Sequence, residues 1–553
     1  MKLRSCPSGR LSIGASARLS FGMSLALLLA GFPGCKSSDG APENFGTGGS
    51  AATGGHPGSG GSASGGAPAA SGGAPGATGG VTSTGGRPGS GASASGGAPA
   101  ASGGAPGTGS GGNPGSGGAG GGAGPGGATG SGGRNGSGGT GVAGMPAGGA
   151  PGTAGTPGSG ALAVEDESAD CKVAAIPDAK SLTAKITKLP DPFLKLDGTR
   201  VASKADWHCR REEIRKQAEA YIFGAKPAPE LVKVSGTVTS SKISVHVDAP
   251  SKSIDFSVSV VLPSKGQAPY PVLINVGTSN TLGESRITDQ GVAVIYYNNY
   301  DLGKEGTAQA SRGKPNTGKY YDIYGGTDPA GLLTAWAWGA SRLLDVIQQS
   351  GGGMFDLKGI GVTGCSRWGK GAFVIGVFDD RIALTIPQEP STGGDPALRI
   401  MDVLSGAERT DYNYNGLNWL SDNFAPFVYA NNTSNVVKLP IDTHALIGLI
   451  APRGLLVLEN PHQTQMGAPA GYIATTAGLE IYKALGASQN VSYHSDVSDT
   501  AHCSYKTEYT DMLVQSMAAF LKHTGAPPGQ FKVGSGGSLN KSDWIDWTAP
   551  ALP

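Results

Sequence analysis

From about residue 270 onward, hydrophobic and polar positions follow two different periods in turn. "PYPVLINVG" and "GVAVIYYNNYD" are short apolar runs bounded by turn residues, and they predict buried strands. "AGLLTAWAWGASRLLDVIQQ" spaces its apolar residues at helical intervals and predicts an amphipathic helix. The same reading makes "LKGIGVTG" a strand, "KGAFVIGVFDD" a helix, "RIALTIPQE" and "RGLLVLEN" strands, and "TAGLEIYKALG" a helix. "VSYHSDV" is a further strand, and "TDMLVQSMAAFLKHTG" closes the chain as a helix. Strands alternating with helices predict a three-layer α/β fold around a doubly wound, mainly parallel sheet.

The first third of the chain has neither period. About half of the 95 glycines fall between residues 41 and 160, where Ala, Ser, Thr and Pro supply nearly everything else. Such a composition cannot bury enough apolar surface to offset its ordering entropy, so this stretch is expected to be a disordered tether. "SASGGAPAASGGAPG" occurs twice in it, which marks low-complexity expansion. A Gly-rich chain of that length spans roughly 60 Å end to end. Ahead of it, "MKLRSCPSGRLSIGASARLSFGMSLALLLAGFPGC" has scattered Arg and Lys, no acidic residue and an apolar run from Phe21 to Ala30. These are the parts of an export signal, and the run is shorter than the ~20 residues of a membrane span. It stops at Gly34-Cys35, where a bacterial lipoprotein signal is cut and its cysteine lipidated. An ordinary secretory signal is the other reading. The expected division is a signal over 1–34, a linker over 35–164 and a catalytic domain over 165–553. The product is exported, as an outer-membrane lipoprotein held only by its lipid anchor or as a secreted monomer.

Charge adds little. A net +1, with no basic run and no aromatic-interleaved patch, offers nothing to nucleic acid. Four cysteines remain after residue 165, at Cys171, Cys209, Cys365 and Cys503, and an even number in an exported chain predicts two disulfides. No CxxC pair suits zinc, and neither metal nor cofactor is implied.

The candidate chemistry begins at "GIGVTGCSRWGKGAF", where Ser366 lies between a predicted strand and a predicted helix. A nucleophile elbow occupies such a turn, because it aims the serine at substrate and backbone N–H groups at a developing oxyanion. The pattern departs from G-x-S-x-G, with Trp368 where a small residue is usual. Serine needs a base. His502, in the polar loop "SDTAHCSYKTE" between the last strand and the last helix, has the position of one. His444, His462 and His494 lie on or beside apolar segments, where packing or capping explains them. Cys365 precedes the serine and Cys503 follows the histidine, so a disulfide between them would fasten nucleophile to base.

"VTGCSRWGKGAF…DRIALTIPQE" resembles the glucuronoyl esterases of carbohydrate esterase family fifteen, whose motifs are GCSRxGK and a strand ending IPQE. The likeness extends to "LPDPFLKLDGTRVASKADWHCRREEI", "LIAPRGLLVLEN", the His-Cys pair and "DWIDWTAP". It implies an α/β-hydrolase that cleaves the ester between glucuronic acid side groups of glucuronoxylan and lignin alcohols. It further implies Ser366 as nucleophile, His502 as base and Glu389 as acid, with an oxyanion contact from Arg367 and sugar binding by Lys370. Disulfides Cys171–Cys209 and Cys365–Cys503 follow from the same resemblance.

The acid stays open between two residues. Glu389 and Glu459 each end a predicted strand; the motif favours Glu389, whereas strand counting favours Glu459. Pairing of Glu389 with Arg381 or Arg399 is the structural alternative. The loop "ENPHQTQMG" lacks the aromatic that fungal members present to the sugar, and "SGAERTDYNYNGLNWLS" offers no clear match for their sugar-binding Gln and Glu. Trp419 aligns with a structural Trp. An esterase for another plant-wall acyl group, acetyl or feruloyl, and an inactive carbohydrate-binding hydrolase scaffold are the other readings.

Overall fold

The computed structural model describes residues 163–553, apart from Ala308. All of them belong to the unit Gly138–Pro553. The expected export signal over 1–34, Cys35 and the whole Gly-rich stretch over 41–160 lie outside the described residues.

Ten strands form one sheet: β1 Lys233–Val238, β2 Lys242–Asp248, β3 Ser253–Val261, β4 Tyr270–Val276, β5 Ala293–Tyr297, β6 Phe355–Cys365, β7 Leu384–Gln388, β8 Gly454–Leu458, β9 Val491–His494 and β10 Phe531–Lys532. Their order is β1-β2-β3-β5-β4-β6-β7-β8-β9-β10. The pairs from β5 through β10 are parallel, while β1, β2, β3 and β5 pair antiparallel. Every strand predicted from periodicity is present. The antiparallel flank is additional, and it shows the half-buried alternation of such strands: in "SIDFSVSVV" every second side chain is buried.

Within the parallel part, successive residues face opposite layers. Val272, Ile274, Val276, Leu455 and Val457 point into the larger core, under the helices Leu332–Gln349, Arg367–Phe378, Thr443–Ile450 and Ala468–Ala484. Leu273, Leu384, Ile386, Leu456 and Leu458 point the other way, onto Met512, Leu513, Met517 and Leu521 of the closing helical segment. Full burial of each such side chain contributes about 1.5–3 kcal/mol. Helices on both faces complete the three layers.

The helix Leu332–Gln349 is amphipathic as expected, yet buried on nearly every side, because β1, β2 and the helix Arg367–Phe378 all pack on it. Its Arg342 is buried in ion pairs with Glu165 and Asp345. Glu165 also meets Lys226 at 2.6 Å, so the chain is anchored where it enters the domain. The closing helix Thr510–Ser516 widens into a π turn, Met517–Leu521, and stops before His523, which has a left-handed φ of 55°.

Candidate active site

Three neighbouring strands end alike. The N–H of Ser366, just past β6, donates to Gln388 O at the end of β7. Glu389, just past β7, donates to Leu458 O, and Glu459, just past β8, donates to His494 O. Ser366, Glu389 and Glu459 therefore line one edge of the sheet, at the carboxyl ends of its parallel strands, where α/β proteins place ligands.

Ser366 sits at φ 57° and ψ −127°, between β6 and the helix Arg367–Phe378. Glu389 (φ 44°) and Cys503 (φ 57°) share the left-handed region. Non-glycine residues held there cost about 1–3 kcal/mol each, and such strain concentrates at functional sites. The tight turn needs Gly364, where a Cβ would come within 2.4 Å of Trp368 O. The bulk of Trp368 is accommodated from far away in sequence. Gly277, at φ +92°, leaves space in which a Cβ would lie 2.5 Å from the indole.

His502 and Glu389 meet: Nδ1 is 2.8 Å from Oε2. The same oxygen accepts the Cys503 N–H at 3.2 Å. Glu389 Oε1 lies 4.0 Å from Lys506 Nζ, with both side chains fully buried. Arg381 and Arg399 are engaged elsewhere, by Asp379 and Asp345 and by Asp442, so neither is the partner of Glu389. With Nδ1 on a carboxylate, Nε2 is left as the acceptor of the ring, 3.5 Å from Cys503 Sγ. The Cys365–Cys503 bridge, with Cα atoms 5.7 Å apart, ties the residue before Ser366 to the residue after His502. Its sulfurs lie within 4.8 Å of a His502 ring nitrogen. Cys171 and Cys209 form the second bridge. Buried Gln388 braces the assembly, accepting from Thr281 Oγ1 at 2.7 Å and donating to Ser504 O at 3.0 Å. Asn460 donates to Asp499 O and Ala501 O in the His502 loop.

Glu459 is equally buried but meets no side-chain donor among the described residues. No well-formed hydrogen bond reaches its oxygens or those of Asp395; their polar neighbours are the backbone at Asn460 and Asp395 and each other's carboxyl. A Cβ on Gly471 would lie 2.8 Å from Asp395 Oδ2 and 3.1 Å from Glu459 Oε1, which places the two acids together. Burial, then Asp395 and Glu389, hold the Glu459 carboxyl well above the usual range. Burial raises Asp395 to about 7.

Lys370 is buried, donates to Pro390 O at 2.5 Å and lies 3.4 Å from Glu408 Oε2. Its ammonium stands 4.7 Å from the centre of the Trp419 ring. Burial lowers its pKa, and Glu408 opposes the shift. Ser391 Oγ donates to the same Glu408 oxygen at 2.7 Å. Beside this cluster opens a groove of about 560 Å³ lined by Glu408, Arg409, Tyr412 and Gln465. A cavity of about 780 Å³, lined by Glu165, Glu212, Arg215 and Phe378, contains none of the candidate catalytic or sugar-binding residues; chemistry, not size, locates the site. Two other histidines beside predicted strands meet backbone carbonyls, His462 at Val497 O and His494 at Asp496 O. His444 is buried, bonds Pro190 O at 2.7 Å, stacks on Trp547 and is pushed down to about 4 by burial.

Glu408 and Lys506 belong to this site and were not singled out by the sequence reading. Lys506 lies within the quoted "SDTAHCSYKTE", and Glu408 within "SGAERTDYNYNGLNWLS". The signal lay in acid and base residues flanking the two motif loops.

The model of the family "Glucuronyl esterase, fungi" matches residues 245–486. The 4-O-methyl-glucuronoyl methylesterase of Hypocrea jecorina is 36% identical over 383 residues, 68% of this chain and 79% of that protein. The chain belongs to the glucuronoyl esterase family. It is a carboxylic ester hydrolase with the α/β-hydrolase fold. A crystal structure of a serine-to-alanine variant of glucuronoyl esterase from Sporotrichum thermophile, in complex with methyl 4-O-methyl-β-D-glucopyranuronate, superposes with a TM-score of 0.62 at 36% identity, covering 69% of this chain and 100% of that one. A carbohydrate esterase family 15 glucuronoyl esterase from Caldicellulosiruptor kristjansonii gives 0.57 at 25% identity, covering 68% and 100%. Among the described residues no helix is long and apolar enough to cross a membrane.

Proposed function

We propose that this esterase cleaves the ester between glucuronate side groups of glucuronoxylan and lignin alcohols, through a Ser366–His502–Glu389 triad. The observation that carries the reading is the 2.8 Å contact of His502 Nδ1 with a buried carboxylate, in a loop bridged by disulfide to the nucleophile elbow. Ser366 Oγ attacks the ester carbonyl while His502 Nε2 takes its proton. The tetrahedral oxyanion is met by the Arg367 N–H, at the N-terminus of its helix, and by the Arg367 side chain. Collapse expels the alcohol, which takes the proton back from His502. Water then enters, gives a proton to His502 and hydrolyses the acyl-enzyme to release the glucuronate and restore Ser366. Glu389 stabilises the imidazolium in both halves. Lys370 and Glu408 bind sugar hydroxyls. Residues 1–34 export the chain, Cys35 is its lipid attachment point, and 35–164 tether the catalytic domain 165–553.

The test is hydrolysis of benzyl esters of glucuronate and of 4-O-methylglucuronate, beside acetylated xylan and a feruloyl ester. Release of benzyl alcohol, abolished in Ser366→Ala, is expected. Turnover only of the acetyl or feruloyl ester would assign another acyl group, and no turnover of any would leave a carbohydrate-binding scaffold.

A further inference from the structure

Arg367 leaves the elbow with a side chain 45% exposed, an exposure at which arginine ordinarily samples many rotamers. Here it is held. Glu305, from the stretch following β5, accepts its Nη1 at 2.6 Å and is itself only 14% exposed. The second oxygen of Glu305 accepts the indole N–H of Trp419 at 3.1 Å. Trp419 is the ring against which the Lys370 ammonium rests. The Tyr300 phenol lies beside both Arg367 and Glu305, and its ring packs edge-on against Trp336. One carboxylate thus joins the group beside the nucleophile to the wall that holds Lys370. It lies 62 residues from Arg367 and 114 from Trp419 in sequence, so no motif contains it.

We propose that Glu305 is a positioning residue for the oxyanion step, fixing the Arg367 guanidinium beside the ester carbonyl and locking it to the Trp419 wall. The inference rests on the reading of Arg367 as an oxyanion contact. A donor aimed in advance at the developing charge needs no reorganisation during the reaction, and this is where its catalytic worth lies. A half-exposed ion pair adds little to stability, so its purpose is expected in rate rather than in folding. The two donors approach different oxygens of one carboxylate, and a side chain one methylene shorter draws that carboxylate back from both.

The experiment measures kcat and KM on a glucuronate benzyl ester for the full chain and for Glu305→Ala, Glu305→Asp, Glu305→Gln, Arg367→Ala and the double variant Glu305→Ala/Arg367→Ala. Loss of positioning is expected to lower kcat about ten- to a hundredfold in Glu305→Ala and Glu305→Asp, with KM moving far less. Glu305→Gln, whose single amide oxygen can accept from Arg367 or from Trp419 but not from both, is expected to recover only part of the rate. In the Arg367→Ala background, removing Glu305 is expected to change nothing further. If Arg367→Ala is damaging but Glu305→Ala lowers kcat by the same factor in both backgrounds, Glu305 does not act through the arginine and the proposal fails alone. Full kcat in a folded Glu305→Ala or Glu305→Asp also overturns it. A silent Arg367→Ala removes the oxyanion reading, and the inference with it. Should Glu305→Ala fail to fold, Glu305→Asp carries the test.

Discussion

The ends of β7 and β8 look alike from the backbone and differ in chemistry. Each delivers a glutamate to the same sheet edge, each glutamate donates its N–H to the next strand, and both side chains are fully buried. Glu389 meets the His502 ring, the Cys503 N–H and, at longer range, the Lys506 ammonium. Glu459 meets another carboxyl. Burial penalises the charged form at both places, and only hydrogen-bond donors and positive charge restore it. A strand-end position is therefore not sufficient to make an acid useful to a histidine; the company of its oxygens decides what it can hold. Asp395 and Glu459 stand against each other, and burial favours the protonated form of both.

The sharpest break in this comparison is kinetic. Glu389→Ala is expected to lower kcat on the order of a hundredfold or more with KM comparatively unaffected, whereas Glu459→Gln changes kcat little. Steady-state rates with Ser366→Ala as the zero of the scale check it. Next in size is the bridge. Replacing Cys365 and Cys503 by Ala is expected to lower stability by about 2–4 kcal/mol, read from denaturant unfolding, because the closed loop is long. Two native thiols that titrate as free would remove the bridge from the account.

A smaller effect separates the two strand ends by pH. Asp395, lifted to about 7 mainly by burial, and Glu459, lifted by burial and by its acidic neighbours, both favour the protonated form in the fold. Folded-state pKa values above the unfolded ones stabilise fully below about pH 4, and this contribution is lost as pH rises through about 7. Lys370 opposes the shift of Asp395 without cancelling it. Glu459→Gln supplies an amide donor to Asp395, so it is expected to raise Tm at pH 8 relative to the parent and to do little at pH 5. An equal change at both pH values would contradict the raised pair of carboxyls. The smallest effect is expected from deleting residues 41–160: on a small soluble ester, specific activity stays the same, since that composition can build no part of the core.

Much of this site was legible because its groups sit where motifs meet strand ends. Ser366 and His502 were marked by a strand-to-helix turn and a loop before the last helix, and Cys365 and Cys503 by adjacency to them. The choice between Glu389 and Glu459 was not legible from position, because it depends on Lys506, 117 residues beyond the first, and on Asp395, which no pattern links to Glu459. Trp368 looked like a defect in the elbow until Gly277, from the end of β4, proved to make room for it. The alternation in β3 carried a strand signal of its own, although it pairs within the antiparallel flank, apart from the parallel strand-and-helix pattern. Long-range polar partnerships such as Glu305 with Arg367, or Glu408 with Lys370, are set by how loops fold over the sheet and leave no periodic trace.

The most direct measurement of the central claim is the low-field proton NMR signal of a histidine Nδ1–H held by a carboxylate. The parent and Glu459→Gln are expected to show it and Glu389→Gln to lose it, each in the full chain at the same pH. A signal that survives in Glu389→Gln and vanishes in Glu459→Gln would place the working acid after β8 and contradict the assignment.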